Sequence, residues 1–254
     1  MAGFRLLRVV LHLFRGLATC ALVFPLIDEA GRLRRIRAWS MNLLSLCRVD
    51  VRVRHEGGAQ PAPRALIVAN HVSWLDIFVI NTLHPCRFVA KSDIRDWPLI
   101  GWLCEKTGTI FISRGKLREV RRIYQGLVTS LHAGEHVAFF PEGTTAAQGS
   151  VLPFHANLFE AAIEAEVPVQ PYAVRYVDAT GKFHPAADFV GDMTFVQSMM
   201  TVLRSGPMIA ELILLQPVET HRASHRRELA DAARRLIAAE LGDSLVEDQI
   251  EPGR

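Results

Sequence analysis

Residues 65–78 read ALIVANHVSWLDIF. The apolar run from Ala65 to Ala69 is too short for a helix and suits a strand buried on both faces. A polar turn follows, and from Trp74 to about Leu83 the pattern reads as a helix. A buried strand feeding directly into a helix is half of a parallel-sheet unit, and the same rhythm continues on both sides of it. Strands are expected at 49–54, 64–69, 86–90, 109–113, 136–140, 168–176 and 208–216. Helices are expected at 74–83, 97–106, 117–132, 156–165 and 224–241. Short apolar strands alternating with longer amphipathic helices predict an α/β fold, a mostly parallel sheet flanked by helices.

The turn within the opening stretch holds more chemistry than a turn needs. Ser73-Trp74-Leu75-Asp76 matches a capping box, with Ser73 as the cap and Asp76 reaching back to its amide, and His71 then stands at a strand end. A second reading uses His71 and Asp76 together. A chain reversing between them brings the carboxylate to one ring nitrogen, fixes the tautomer and leaves the other nitrogen as a base. Ser73 also raises the idea of a Ser-His-Asp hydrolase. Against it, Ser73 stands only two residues from His71 on a tight turn, and no G-x-S-x-G elbow is present. A base that activates a substrate hydroxyl fits better.

In parallel sheets, ligands gather outside the carboxyl ends of strands. Three polar segments fall there: 70–76, Arg114 with Gly115, and 141–145. Lys91, at the end of another strand, offers a second cation. The tryptophans and aliphatics of 97–103 are expected to form a core helix rather than an acyl tunnel. His84, His132, His136 and His155 read as surface or packing histidines.

At 254 residues and half hydrophobic composition, the chain can bury a sizeable core. Its net charge of +3 is unevenly spread. Residues 1–55 hold ten arginines against Asp28, Glu29 and Asp50, a surplus of seven, so the rest carries about four net negative charges. The basic region coincides with an apolar one. Residues 4–27 are apolar but broken by Arg5, Arg8, His12 and Arg15, and the clean run 16–27 is too short to span a bilayer. No signal-peptide cleavage site follows it. Together with a second helix at about 30–46 it predicts a two-helix membrane-docking hairpin lying in the interface of an anionic membrane. The expected organisation is a hairpin at 1–48, a catalytic domain at 49–242 and a polar tail at 243–254. No nucleic-acid signature accompanies the arginines. Cys20, Cys47, Cys86 and Cys104 lack ligand spacing and read as free thiols, and no metal site is expected.

Asn70-His71-Val72-Ser73-Trp74-Leu75-Asp76 resembles the N-H-x-x-x-x-D motif of the glycerolipid acyltransferases, the lysophosphatidic acid acyltransferase superfamily. Gly108–Arg114 resembles the second block of that family, Phe140-Pro141-Glu142-Gly143-Thr144 the third, and Val167–Pro171 the fourth. The four blocks stand in the family's order across 70–171, and the N-terminal hairpin is similar to the family's membrane-binding one. The resemblance implies transfer of a fatty acyl group from a thioester, acyl-acyl-carrier-protein or acyl-coenzyme A, to the hydroxyl of a lysolipid. The implied acceptor is 1-acyl-sn-glycerol-3-phosphate. No bound cofactor or nucleic-acid partner is implied. The implied location is the cytoplasmic face of the inner membrane, held peripherally by lipid contact.

In this scheme His71 is the base and Asp76 orients it. Arg114, Lys91, Glu142, Gly143 and Thr144 bind the acceptor. Backbone amides near Gly143 or after Asn70 are candidate oxyanion donors, with Asn70 and Ser73 as structural or oxyanion residues. The sequence departs from the family at Thr145, where arginine or a similar polar residue is common, and at His155, where lysine is common. Both positions bear on the headgroup, and a lyso-aminolipid such as lyso-ornithine lipid is the alternative acceptor.

Overall fold

A computed structural model describes residues 2–112 and 117–243, with the side chains of 117–123 excepted. Among the described residues, seven strands form one sheet: β1 (Val49–His55), β2 (Leu66–Ala69), β3 (Arg87–Lys91), β4 (Ile110–Ile112), β5 (Val137–Phe139), β6 (Val169–Val177) and β7 (Met208–Leu214). Their spatial order is β1-β7-β6-β2-β5-β3-β4. Every neighbouring pair is parallel except β6 and β7, so β1 and β7 run against the other five. The central strands β2, β5 and β6 are almost wholly buried, because helices cover both faces. The edge strand β1 instead carries Arg52 and Arg54 on exposed positions, and charge of this kind blunts an unpaired edge.

Among the described residues, eight α-helices surround the sheet: α1 (Ala2–Ala18), α2 (Glu29–Leu46), α3 (Asp76–Leu83), α4 (Ile100–Lys106), α5 (Leu117–His132), α6 (Glu160–Glu164), α7 (Phe195–Arg204) and α8 (Arg226–Leu241). The expected strands and helices all appear, with ends displaced by a few residues. The helix expected at 156–165 opens as a 3-10 turn, Ala156–Phe159, before α6. An unexpected helix, α7, fills the stretch before β7. Its start is a capping box in which Thr194 accepts from the Gln197 amide while the Gln197 side chain accepts from the Thr194 amide.

The N-terminal helical stretch, Ala2–Leu26, covers the apolar region expected at 4–27. Helix α1 passes through a π turn (Thr19–Val23) and a 3-10 turn (Phe24–Leu26) before Asp28 caps α2. Residues Ala2–Leu26 are long and apolar enough to cross a membrane by length and composition. One side of α1 faces the protein through Val9, His12 and Gly16. His12 stacks on Trp39 of α2 at 4.6 Å, and each side chain hydrogen-bonds the other's carbonyl. Gly16 is required there, since a Cβ would stand 2.7 Å from the Trp39 indole nitrogen. Arg5 donates to the Leu203 carbonyl at the end of α7. The opposite side of α1 presents Phe4, Leu7, Leu11 and Phe14 to solvent, flanked by exposed Arg8 and Arg15.

The core helix expected at 97–106 is corrected. Trp97, Leu99 and Trp102 are 42%, 49% and 38% exposed. Helix α4 has only seven residues. It is pressed onto its own preceding turn, so that a Cβ on Gly101 would meet the Arg95 carbonyl at 2.0 Å. That leaves the aromatic side chains on the outside. The four cysteines are free, as expected. The expected polar tail from 244 onward lies outside the described residues.

Candidate active site

Strands β2 and β5 are parallel neighbours, with Val68 paired to Phe139. The segments that leave them therefore emerge at the same end of the sheet, and this brings 70–76 and 140–145 together. Strand β6, on the other side of β2, extends beyond it: Ala69 pairs with Tyr172, and residues 173–177 form a wall beside the turn.

On this frame His71 and Asp76 meet. His71 Nδ1 stands 2.8 Å from Asp76 Oδ2. A carboxylate oxygen accepts, so Nδ1 carries the proton and Nε2 keeps its lone pair. The same Oδ2 also accepts from the amides of Val72 at 2.8 Å and Ser73 at 2.9 Å. The two readings of the motif thus share one oxygen, which holds the imidazole and reaches back to the helix start. Ser73 is not the side-chain cap, because its Oγ is buried without a hydrogen-bond partner among the described residues. That placement also removes it as a hydrolytic nucleophile. Asp76 is wholly buried, while the His71 side chain keeps 19% of its surface exposed. The imidazole lies flat on Phe140, with centroids 3.9 Å apart and planes 8° from parallel. Its Nε2 has no partner among the described residues, so the site can remove a proton from a group that approaches the open ring.

The other expected site residues divide. Asn70 braces the turn: its amide exchanges two hydrogen bonds with the backbone of Val174, at 2.9 and 2.8 Å. Glu142 departs from its expected contact with the acceptor. It is buried, Oε1 accepts from the His71 amide at 2.8 Å and Oε2 from the Leu152 amide at 3.0 Å. Burial, with the nearby charge of Asp76, pushes its carboxyl up to about 7, against the two amide bonds and Arg234, which pull it down. Glu142 therefore holds the backbone that carries His71. Gly143 adopts a φ of 69°, which suits glycine, and its amide closes a turn onto the Phe140 carbonyl. His155, expected as a surface or packing histidine, is exposed and also packs against this turn, 3.2 Å from where a Gly143 Cβ would stand.

These bonds narrow the expected oxyanion donors. The amides of His71, Val72, Ser73 and Gly143 all donate within the protein. Near Gly143, the Thr144 and Thr145 amides have no acceptor among the described residues. Thr144 and Lys91 are exposed, and Lys91 ends β3, two strands from β2. Arg114 lies outside the described residues. Among the described residues, no group of three or more His, Cys, Asp or Glu is placed to hold a metal.

Residues beyond 180, which carry no motif, close around the turn. The Phe189 amide donates to the Val72 carbonyl at 3.1 Å, and the Thr145 hydroxyl donates to the Phe189 carbonyl. Trp74 packs edge-on against Phe195 at 5.3 Å and reaches Ser198 Oγ through its indole nitrogen. The Tyr176 hydroxyl donates to Asp76 Oδ1 at 2.7 Å. The capping box at Thr194 was a readable signal for α7; nothing local announces Tyr176.

The sequence model of the acyltransferase family matches residues 50–175. A lyso-ornithine lipid O-acyltransferase of Pseudomonas aeruginosa is 39% identical over 206 residues, covering 81% of this chain and 78% of its own. A 1-acyl-sn-glycerol-3-phosphate acyltransferase of Neisseria gonorrhoeae is 42% identical over 127 residues, covering 48% of this chain and 50% of its own. The crystal structure of the 1-acyl-sn-glycerophosphate (LPA) acyltransferase PlsC from Thermotoga maritima matches 95% of this chain and 98% of its own, with a TM-score of 0.62 at 21% identity. That likeness shows a shared fold.

Proposed function

This chain belongs to the acyltransferase family, and from that premise we propose that it moves a fatty acyl group from a thioester to the free hydroxyl of a lysolipid. The observation that carries this reading is the His71–Asp76 pair, with Nδ1 held and Nε2 open. Nε2 takes the hydroxyl proton as the oxygen attacks the thioester carbonyl. The buried Asp76 carboxylate stabilises the imidazolium. When the tetrahedral intermediate collapses, the C–S bond breaks and the imidazolium returns its proton to the departing thiolate. The enzyme ends as it began, with no acyl group on the protein. General-base assistance of this kind contributes about 10²–10⁴ in rate. The donor is acyl-acyl-carrier-protein or acyl-coenzyme A.

For the acceptor, 1-acyl-sn-glycerol-3-phosphate is the first reading, with Arg114 and Lys91 as the candidate cations for its phosphate. Two observations favour a lyso-aminolipid as the second. Thr145, standing where the family often has arginine, has its hydroxyl tied to Phe189. The relative aligned over four-fifths of this chain is named for lyso-ornithine lipid. The solvent-facing stripe of Phe4, Leu7, Leu11 and Phe14, beside Arg8 and Arg15, supports docking to an anionic membrane, on the cytoplasmic side where the thioester donors are.

The test uses purified protein with liposomes and a long-chain acyl thioester, following thiol release with lysophosphatidic acid and, separately, with lyso-ornithine lipid. His71→Ala abolishes acceptor-dependent release and Ser73→Ala largely preserves it. Whichever lysolipid drives release identifies the acceptor. Release without any acceptor, lost in Ser73→Ala, would overturn acyl transfer in favour of hydrolysis.

A further inference from the structure

Among the described residues, Asp76 receives four hydrogen bonds, unequally shared between its oxygens. Oδ2 takes the His71 ring and the amides of Val72 and Ser73, all from its own turn. Oδ1 takes one, from the Tyr176 hydroxyl, 100 residues away in the chain. Both Asp76 and Tyr176 are wholly buried, so no water replaces that donor. Tyr176 is itself pinned. Its amide donates to Gln148 Oε1 at 2.6 Å, and its carbonyl accepts from the His184 amide at 2.9 Å. Burial holds the phenol well above its ordinary value of 10, so it stays a donor throughout the range in which an imidazole titrates.

Resting on the base role given to His71, we propose that Tyr176 is a positioning residue of the dyad: its hydroxyl locks the Asp76 carboxylate against the sheet and draws part of its charge away from His71, setting the pH at which the dyad becomes competent. A buried carboxylate that loses its only donor on one oxygen binds a proton more readily, either on itself or on the imidazole it faces. Either event removes the open base, so the sign of the effect is the same. Other titratable groups face this assembly. Glu142, from the turn after β5, feels Asp76 and is in turn pulled down by Arg234 of α8. Cys47, after α2, lies behind Tyr176 as a thiol that burial pushes up to about 12. Neither hydrogen-bonds Oδ1.

The experiment measures kcat and KM against pH for the full-length protein with the acceptor that supports thiol release, in the wild type, Tyr176→Phe and a form with 3-fluorotyrosine at 176. Removing the hydroxyl lowers kcat by about ten- to a hundredfold with both KM values little changed. It moves the acidic limb of kcat/KM upward by about one pH unit. The fluorinated phenol, a stronger donor of nearly the same volume, moves that limb downward. If Tyr176→Phe does not fold, the fluorinated form decides alone. A limb that stays in place makes the hydroxyl merely structural and overturns the inference. His71→Ala runs in parallel: if it keeps the wild-type rate, the base reading itself falls. If it is inactive while the position-176 forms keep the wild-type profile, this inference alone falls.

Discussion

Glu142 holds a carboxylate where solvent does not reach, with an amide on each oxygen. Its ionisation near pH 7 rather than near 4.5 has a consequence for stability. The folded value is raised, so the folded state binds the proton more tightly than the unfolded chain. The contribution is fully present below about 4.5 and is lost as pH rises through about 7. Thermal melting followed from pH 5 to 8 shows a falling segment in the wild type. In Glu142→Gln, which cannot titrate, that segment is absent; an unchanged slope would assign it to another group. The same residue marks how far single positions could be read. His71 and Asp76 were legible because five positions across a strand–turn–helix bring side chains together whatever the rest of the chain does. Glu142 was found but misassigned, because its partners are backbone amides, and sequence does not say which amides a fold leaves unpaired. Tyr176 was not found, because its contact depends on β6 overrunning β2 by five residues.

Among the elements, those with long apolar periods were readable and those whose character depends on neighbours were not. Helix α4 has the spacing of a core helix, but Trp97, Leu99 and Trp102 in and before it stay partly exposed. Helix α7 is short, and its importance lies in Trp74 and Phe195, which meet only in the folded protein. Helix α1 shows the reverse case, in which the sequence mixed two faces that the structure separates. Residues 4, 7, 11 and 14 form an exposed apolar stripe, while Val9, His12 and Gly16 face inward. Acidic substitutions on the stripe therefore act on membrane attachment and not on folding. Leu7→Glu together with Leu11→Glu abolishes co-sedimentation with anionic vesicles and leaves the melting temperature within about 2 °C of the wild type, since exposed sites away from packing change stability by about 0.5 kcal/mol or less. Unchanged vesicle binding would remove this face from the membrane contact.

At the scale of the whole molecule, local pattern announced the alternation of strands and helices but not their spatial order. Strand β7 runs antiparallel to β6 and parallel to β1, so residues 49–55 pair with 208–214. No short-range signal encodes a pairing between such distant segments. The sequence boundary at 48 falls just before β1, yet packing crosses it. Val9, Leu43, Leu44 and Cys47 belong to the same buried cluster as Val79, Ile80 and Tyr176, with Trp39 packed against it. Helices α1 and α2 contribute unequally. Helix α1 gives that cluster one buried residue, Val9, and partly buried Leu6. Helix α2 gives it Leu43 and Leu44 and covers α3. Deleting residues 2–26 therefore leaves a monomer with native near-ultraviolet circular dichroism that no longer binds vesicles. Deleting residues 2–46 bares the apolar face of α3 and the cluster behind Tyr176, where each uncovered large aliphatic side chain forfeits about 1.5–3 kcal/mol of burial. That chain elutes as aggregate on size exclusion. If it instead elutes as a folded monomer, residues 1–48 are a separable module, and α2 serves attachment and not the core around the dyad.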